Sequence, residues 1–178
     1  MELRHTKIPS RFLEQLPDGL KYLHRHGKEY LVVEQLFCPA GHSLMATSVH
    51  IHEEPSIRIK VRAGGQEGLI FVDSYWGSHD KLYSFLPAAA EAEPVVQAYC
   101  PTCGISLVVE ERCEQPDCGS NLCLLFHLPG GVNRIYVCAR LGCPWHRMDV
   151  SRMPDAVQRS VSEINYFGHG EEEAFRGI

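Results

Sequence analysis

The chain has no run approaching the roughly 18 to 20 apolar residues of a membrane-spanning helix, which argues against a membrane location. Its first residues, Met1 to Lys7, are polar and lead into no apolar signal-peptide core, so secretion is unsupported and a cytoplasmic protein is expected. There is no Gly-x4-Gly-Lys loop and no Gly-x-Gly-x2-Gly after a strand, which disfavours nucleotide-driven chemistry. A Gly-x-Ser-x-Gly nucleophile elbow is also missing. Clustered positive charge is scarce. The 17 Lys and Arg residues face 22 Asp and Glu, for a net charge of -5, a poor basis for displacing counterions from a phosphate backbone. The best basic candidates, Arg58, Lys60 and Arg62, alternate along one strand face and are few, so nucleic acid is a disfavoured partner.

What the chain does have is cysteine, eight in 178 residues. In a reducing compartment such density points to metal or catalysis before disulfides. One metal site of four cysteines and one of three cysteines with a histidine would take the formal charge to about -8.

The pattern along the chain predicts an α+β fold. Segment 10 to 27 reads as helical, with Ser10 capping a turn through Leu16, an interruption at Pro17-Asp18-Gly19, and a second piece from Leu20 to His26 ended by Gly27. Tyr30 to Phe37 is a buried strand running into Cys38. From Ser48 to Arg62 apolar residues alternate, with a break at Pro55, and Gly64-Gly65 signals a hairpin returning through Gly68 to Tyr75. Residues 87 to 94 read as a linker or short surface helix between halves 1–94 and 95–178, expected to form one cooperative domain. In the second half, strands are predicted at Ser106 to Glu110, Leu122 to Leu128 and Asn133 to Cys138. The turn Pro129-Gly130-Gly131 joins the last two. A helix from Ser151 to Phe167 carries the stripe Val157, Val161 and Ile164, stops at Gly168, and precedes the acidic run Glu171 to Glu173.

Two internal echoes organise the cysteines. Phe37-Cys38-Pro39-Ala40-Gly41-His42 parallels Tyr99-Cys100-Pro101-Thr102-Cys103-Gly104, and Cys113-x4-Cys118 parallels Cys138-x4-Cys143. Cys-Pro-x-Cys-Gly makes a tight turn whose amides point at sulfur. The hairpin Ile105 to Arg112 then brings Cys113 and Cys118 back toward Cys100 and Cys103, giving a first expected zinc site of those four thiolates. Over about residues 98 to 120 the segment resembles a zinc ribbon, through Cys-Pro-x-Cys-Gly, an intervening hairpin and a second cysteine pair. The pair departs from that pattern in being spaced by four residues and not two. The resemblance implies a fold element and a metal without an activity. A second expected site unites Cys38 and His42 with Cys138 and Cys143, with His146 an alternative to His42 or Cys38. Cys123 is left over as a small buried hydrophobe. Two Zn2+ per chain follow, although tetrahedral sulfur ligation alone does not separate zinc from iron.

Candidates for catalysis are thinner. His50 and His52 lie two residues apart on a predicted strand, followed by Glu53 and Glu54, and the loop Asp73 to Asp80 is rich in polar and aromatic groups. The pair Cys100-x2-Cys103 lacks the strand-then-helix setting of a redox dithiol. The expectation is a zinc-stabilised binding or accessory module acting through protein contacts, without catalysis. Two alternatives stand beside it: a hydrolase-like metalloenzyme using His50 and His52 with Asp73 or His79, and a nucleic-acid-binding ribbon protein.

Overall fold

The computed structural model describes residues 7–63, 65–84 and 95–165. They form an α+β protein dominated by antiparallel sheet, with one helix near each end. Helix α1 (Ser10–Glu14) is short and is entered through Pro9, whose fixed backbone suits the helix start. No side chain caps it, so Ser10 lies inside the helix and not at its cap. Phe12 from this helix is fully buried, which contributes about 1.5 to 3 kcal/mol.

The segment expected to continue as helix does not. Leu20–Arg25 is strand β1, paired residue for residue with β2 (Lys28–Val33) from Leu20↔Val33 to Arg25↔Lys28. The physical reason is the turn: His26 and Gly27 both have positive φ, at 52° and 75°, the conformation that closes a two-residue hairpin. Gly27 supplies the left-handed residue anticipated for it, in a hairpin and not at a helix end.

The largest sheet is built on β4 (Glu54–Ala63), ten residues long. On one side it pairs with β5 (Gln66–Val72), which in turn pairs with β6 (Lys81–Tyr83). On the other it pairs first with β3 (Met45–Ile51) and, further along, with β7 (Gln97–Tyr99). The break between β3 and β4 falls at His52-Glu53, not at Pro55, which opposes His50 within the sheet. Alternate residues Ile57, Ile59, Val61 and Ala63 turn inward. The second sheet has the order β11-β10-β9-β8, from β8 (Val108–Glu110), β9 (Leu122–His127), β10 (Arg134–Cys138) and β11 (His146–Asp149). The sequence pattern does not predict strand β11, which opens on the alternative ligand His146. Phe37 exchanges backbone hydrogen bonds with His127, and Tyr99 bridges to Ser106, so both halves of the chain contribute to one core.

Helix α2 (Asp155–Ser162), shorter than the expected Ser151 to Phe167, starts after Pro154 and closes this core with its own Val161 and with Ile164 just past its end. Gly77 receives it: its φ is +94°, and a Cβ there would lie 2.8 Å from the Ile164 carbonyl oxygen, so no other residue fits. The linker 87–94, Phe167, the stop at Gly168 and the acidic run lie outside the described residues.

Candidate metal centres

Cys38 follows the bridge at Phe37 and opens a turn closed by Gly41 N–H to the Cys38 carbonyl. The His42 amide then donates to Cys38 Sγ at 3.4 Å. Cys100 follows β7 directly and opens the matching turn, closed by Gly104 N–H to the Cys100 carbonyl. Cys113 comes just after β8, its amide bonded to the Ser120 carbonyl, while Cys138 ends β10 and Cys143 follows in the turn closed on Arg140. All eight cysteines are unpaired by disulfides.

The structure gathers the eight expected ligands into two tetrads, but exchanges their partners. Cys38, His42, Cys100 and Cys103 form one group, and Cys113, Cys118, Cys138 and Cys143 the other, each with all ligand atoms within 4.8 Å of one another. The expected sets, Cys100/Cys103/Cys113/Cys118 and Cys38/His42/Cys138/Cys143, are corrected accordingly. The reason is topological. Strand β8 carries the chain away from the Cys100 turn, so Cys113 arrives beside the turn that follows β10. Pairing β4 with β7 and Phe37 with His127 instead sets the two Cys-Pro turns side by side. Like turn joins like turn, as the internal echoes had paired them.

The spacings fit a tetrahedral ion. Zn–S bonds of about 2.3 Å at tetrahedral angles separate two sulfurs by about 3.8 Å, and a sulfur from a nitrogen by about 3.5 Å. The observed separations are 3.9 Å for Cys38 to Cys103, 3.6 Å for Cys113 to Cys143, 3.6 Å for Cys118 to Cys138, and 3.6 Å from Cys38 Sγ to His42 Nδ1. The donor chemistry asks for a cation as well. In the four-cysteine group, burial pushes the Cys113 thiol up to about 12 and raises Cys143 further, with the neighbouring Cys138 charge acting in the same sense. Burial also opposes ionisation of Cys118, but the Ser120 amide and the adjacent thiols outweigh it and hold that thiol below its ordinary value. Four such groups ionise together only around positive charge. Both tetrads can therefore hold a metal ion and are consistent with zinc.

The remaining candidates separate. Cys123 is fully buried in β9, its thiol donates to the Glu111 carbonyl at 3.3 Å, and burial raises it to about 12. His146 joins neither tetrad; its Nε2 bonds the Ile164 carbonyl at 2.6 Å and its ring packs on Trp76. His50 is exposed on β3. His79 lies by His146 and pairs with Asn165, and burial together with the charges of His146 and Lys81 lowers it to about 3.

His52 does find Asp73. Both His52 and Glu53 have positive φ, at 52° and 69°, in the tight β3–β4 turn. There the imidazole Nδ1 meets Asp73 Oδ2 at 2.6 Å, and Nε2 meets Asp80 Oδ2 at 3.2 Å. Asp73 is buried and also accepts from the Tyr75 amide and the Ser78 hydroxyl. His52, Asp73 and Asp80 make a third group capable of holding a metal, with Asp80 exposed. Asp80 went unrecognised as a member because nothing in its spacing from His52 marks it; only its place at the end of a loop starting at Asp73 does. Compared with known proteins, the chain matches no family model, no curated protein and no solved structure.

Proposed function

We propose that this chain is a zinc-stabilised binding module whose two centres, one of three cysteines with a histidine and one of four cysteines, are structural, and which acts through protein contacts. The observation that carries this reading is the tetrahedral spacing of two complete four-ligand sets. A set of four protein ligands leaves no position for water or substrate, so its metal organises the fold and does not activate a nucleophile. The contact surface is assigned to edge strand β6 and the loop before it, where Leu82 and Tyr83 are 50% and 41% exposed. Nucleic acid is a weaker partner for this surface. Glu67 pairs with both Lys60 and Arg62 at 2.9 and 2.8 Å, taking charge from the basic strand face.

Elemental analysis of the purified protein, with an anomalous-scattering map, tests the proposal. Two zinc ions per chain are expected, each within about 2.3 Å of its sulfurs; iron, or fewer than two metals, contradicts it. The contact surface is tested by a photo-crosslinking residue at Tyr83, with capture of a defined protein that the added substitution Leu82→Asp abolishes.

A second reading rests on the His52, Asp73 and Asp80 group. Asp73 orients the ring from the Nδ1 side, as outer carboxylates orient histidine ligands, and Nε2 lies 3.2 Å from the exposed Asp80, a pair of groups able to share a cation. A third metal equivalent, lost in Asp80→Asn with the other two retained, favours a metal-dependent enzyme over the module.

A further inference from the structure

Between the two sheets lies a partly enclosed cavity of about 120 Å3, walled mainly by aliphatic side chains of β4, β5, β9 and β10 and by Trp76 and Trp145. A somewhat larger apolar cavity, of about 150 Å3, holds a benzene ring, so a single ring is the upper limit for the apolar body this partly open one takes. The polar groups in this wall are unusual in kind. Two buried side-chain polar atoms of its lining, Ser74 Oγ and Arg140 Nε, have no hydrogen-bond partner among the described residues. Ser74 is only 1% exposed. A buried polar atom without a partner costs about 1 to 3 kcal/mol, a cost a bound acceptor removes. Both atoms can donate.

A third donor stands in the same wall. Lys81 Nζ gives one hydrogen bond to the His79 carbonyl at 3.1 Å, which leaves two of its hydrogens for other acceptors. Against these two cations the lining offers one carboxylate, Asp73, and the Cys138 and Cys143 sulfurs, whose charge as thiolates is shared with the ion of their own tetrad. The two Asp73 oxygens already accept from His52, the Tyr75 amide and Ser78. A chain of net negative charge thus keeps two cationic side chains and an orphan hydroxyl around an apolar hollow.

We propose that this cavity is a binding site for a small monocarboxylate with a single-ring or branched apolar body, the body in the hollow and the carboxylate on Arg140, Lys81 and Ser74. The apolar walls select against highly charged phosphates, and the volume selects against larger ring systems. Charge-assisted hydrogen bonds from a guanidinium and an ammonium give the carboxylate its preference over neutral isosteres of the same shape.

Calorimetric and ligand-observed NMR titration of the metal-loaded chain with benzoate, benzamide and toluene tests this. Benzoate is expected to bind one per chain, about tenfold or more tighter than benzamide or toluene, which corresponds to at least about 1.4 kcal/mol. Arg140→Gln and Lys81→Gln are each expected to weaken benzoate about tenfold while leaving benzamide unchanged. No benzoate binding by the wild-type chain overturns the proposal. Equal binding of benzoate and its neutral isosteres overturns it too, a comparison that depends on no variant. Because Arg140 lies two residues from Cys138, zinc content is measured in parallel. Lys81→Gln, distant in sequence from every thiolate, then decides the case: unchanged benzoate affinity in that variant, with both metals retained, also overturns the assignment.

Discussion

His79 shows what burial does to a single titratable side chain. Its ring sits beside His146 and bonds Asn165, and burial, helped by the nearby His146 and Lys81, takes it down to about 3 from an ordinary value near 6.5. The unfolded chain therefore binds a proton below about pH 6.5 that the folded chain refuses. Stability from the neutral ring is complete above that value and falls as the pH drops from about 6.5 toward 3. The slope is at most about 1.4 kcal/mol per pH unit, less for the solvent that reaches a partly buried ring. Urea unfolding of the wild type and His79→Gln across this range is expected to show their stability difference shifting against the wild type as pH falls. Thiolate protonation affects both chains equally, so a parallel pair of curves would remove His79 as the cause. The residue's role was not legible from sequence, where it stood as a candidate ligand beside His50, His52 and Asp73. His52 was half legible: its partner Asp73 was among the candidates, but its companion His50 faces outward, since the turn starting at His52 breaks the strand alternation.

At the scale of elements, the knuckle-like turns and the Cys-x4-Cys turns were readable as ligand pairs because each is held by local hydrogen bonds. Gly104 to the Cys100 carbonyl and Cys143 to the Arg140 carbonyl are examples. Which pair joins which was not readable, because that depends on the length and direction of β7 and β8. The exchange has a sharp consequence. In the double variant Cys38→Ala/Cys103→Ala both lesions fall in one tetrad, so one of two metals is expected to remain. The grouping read from sequence, with those residues in different sites, requires both to be lost. Metal stoichiometry by mass spectrometry decides between the two. The misassigned segment Leu20–Arg25 follows the same logic: a positive-φ glycine serves a helix end or a hairpin equally well, and only the partner strand Lys28–Val33 distinguishes them.

Across the whole molecule, each tetrad ties together parts of the chain that lie far apart in sequence. The group containing His42 links residue 38 to residue 103, and the four-cysteine group links residue 113 to residue 143. Binding free energy at such sites is folding free energy, since the unfolded chain has no formed site. Chelation of both metals is therefore expected to abolish the cooperative transition in calorimetry. Restoring two equivalents of zinc should recover it. A sharp transition surviving in the metal-free chain would show instead that the apolar core suffices.

The sequence by itself determined the local matters: an antiparallel α+β chain, the turns at Pro129-Gly130-Gly131 and around residue 65, the amphipathic C-terminal stripe, and the eight soft ligands in matching pairs. These are set by nearest-neighbour chemistry, by alternation, by φ preferences and by ligand spacing. The tertiary structure decided the pairing of the tetrads, the meeting of His52 with Asp73 and Asp80, and the inter-sheet cavity with its orphan donors. Each of those depends on where one strand lies against another, a choice made by burial of the whole core and not written in any short stretch of the chain.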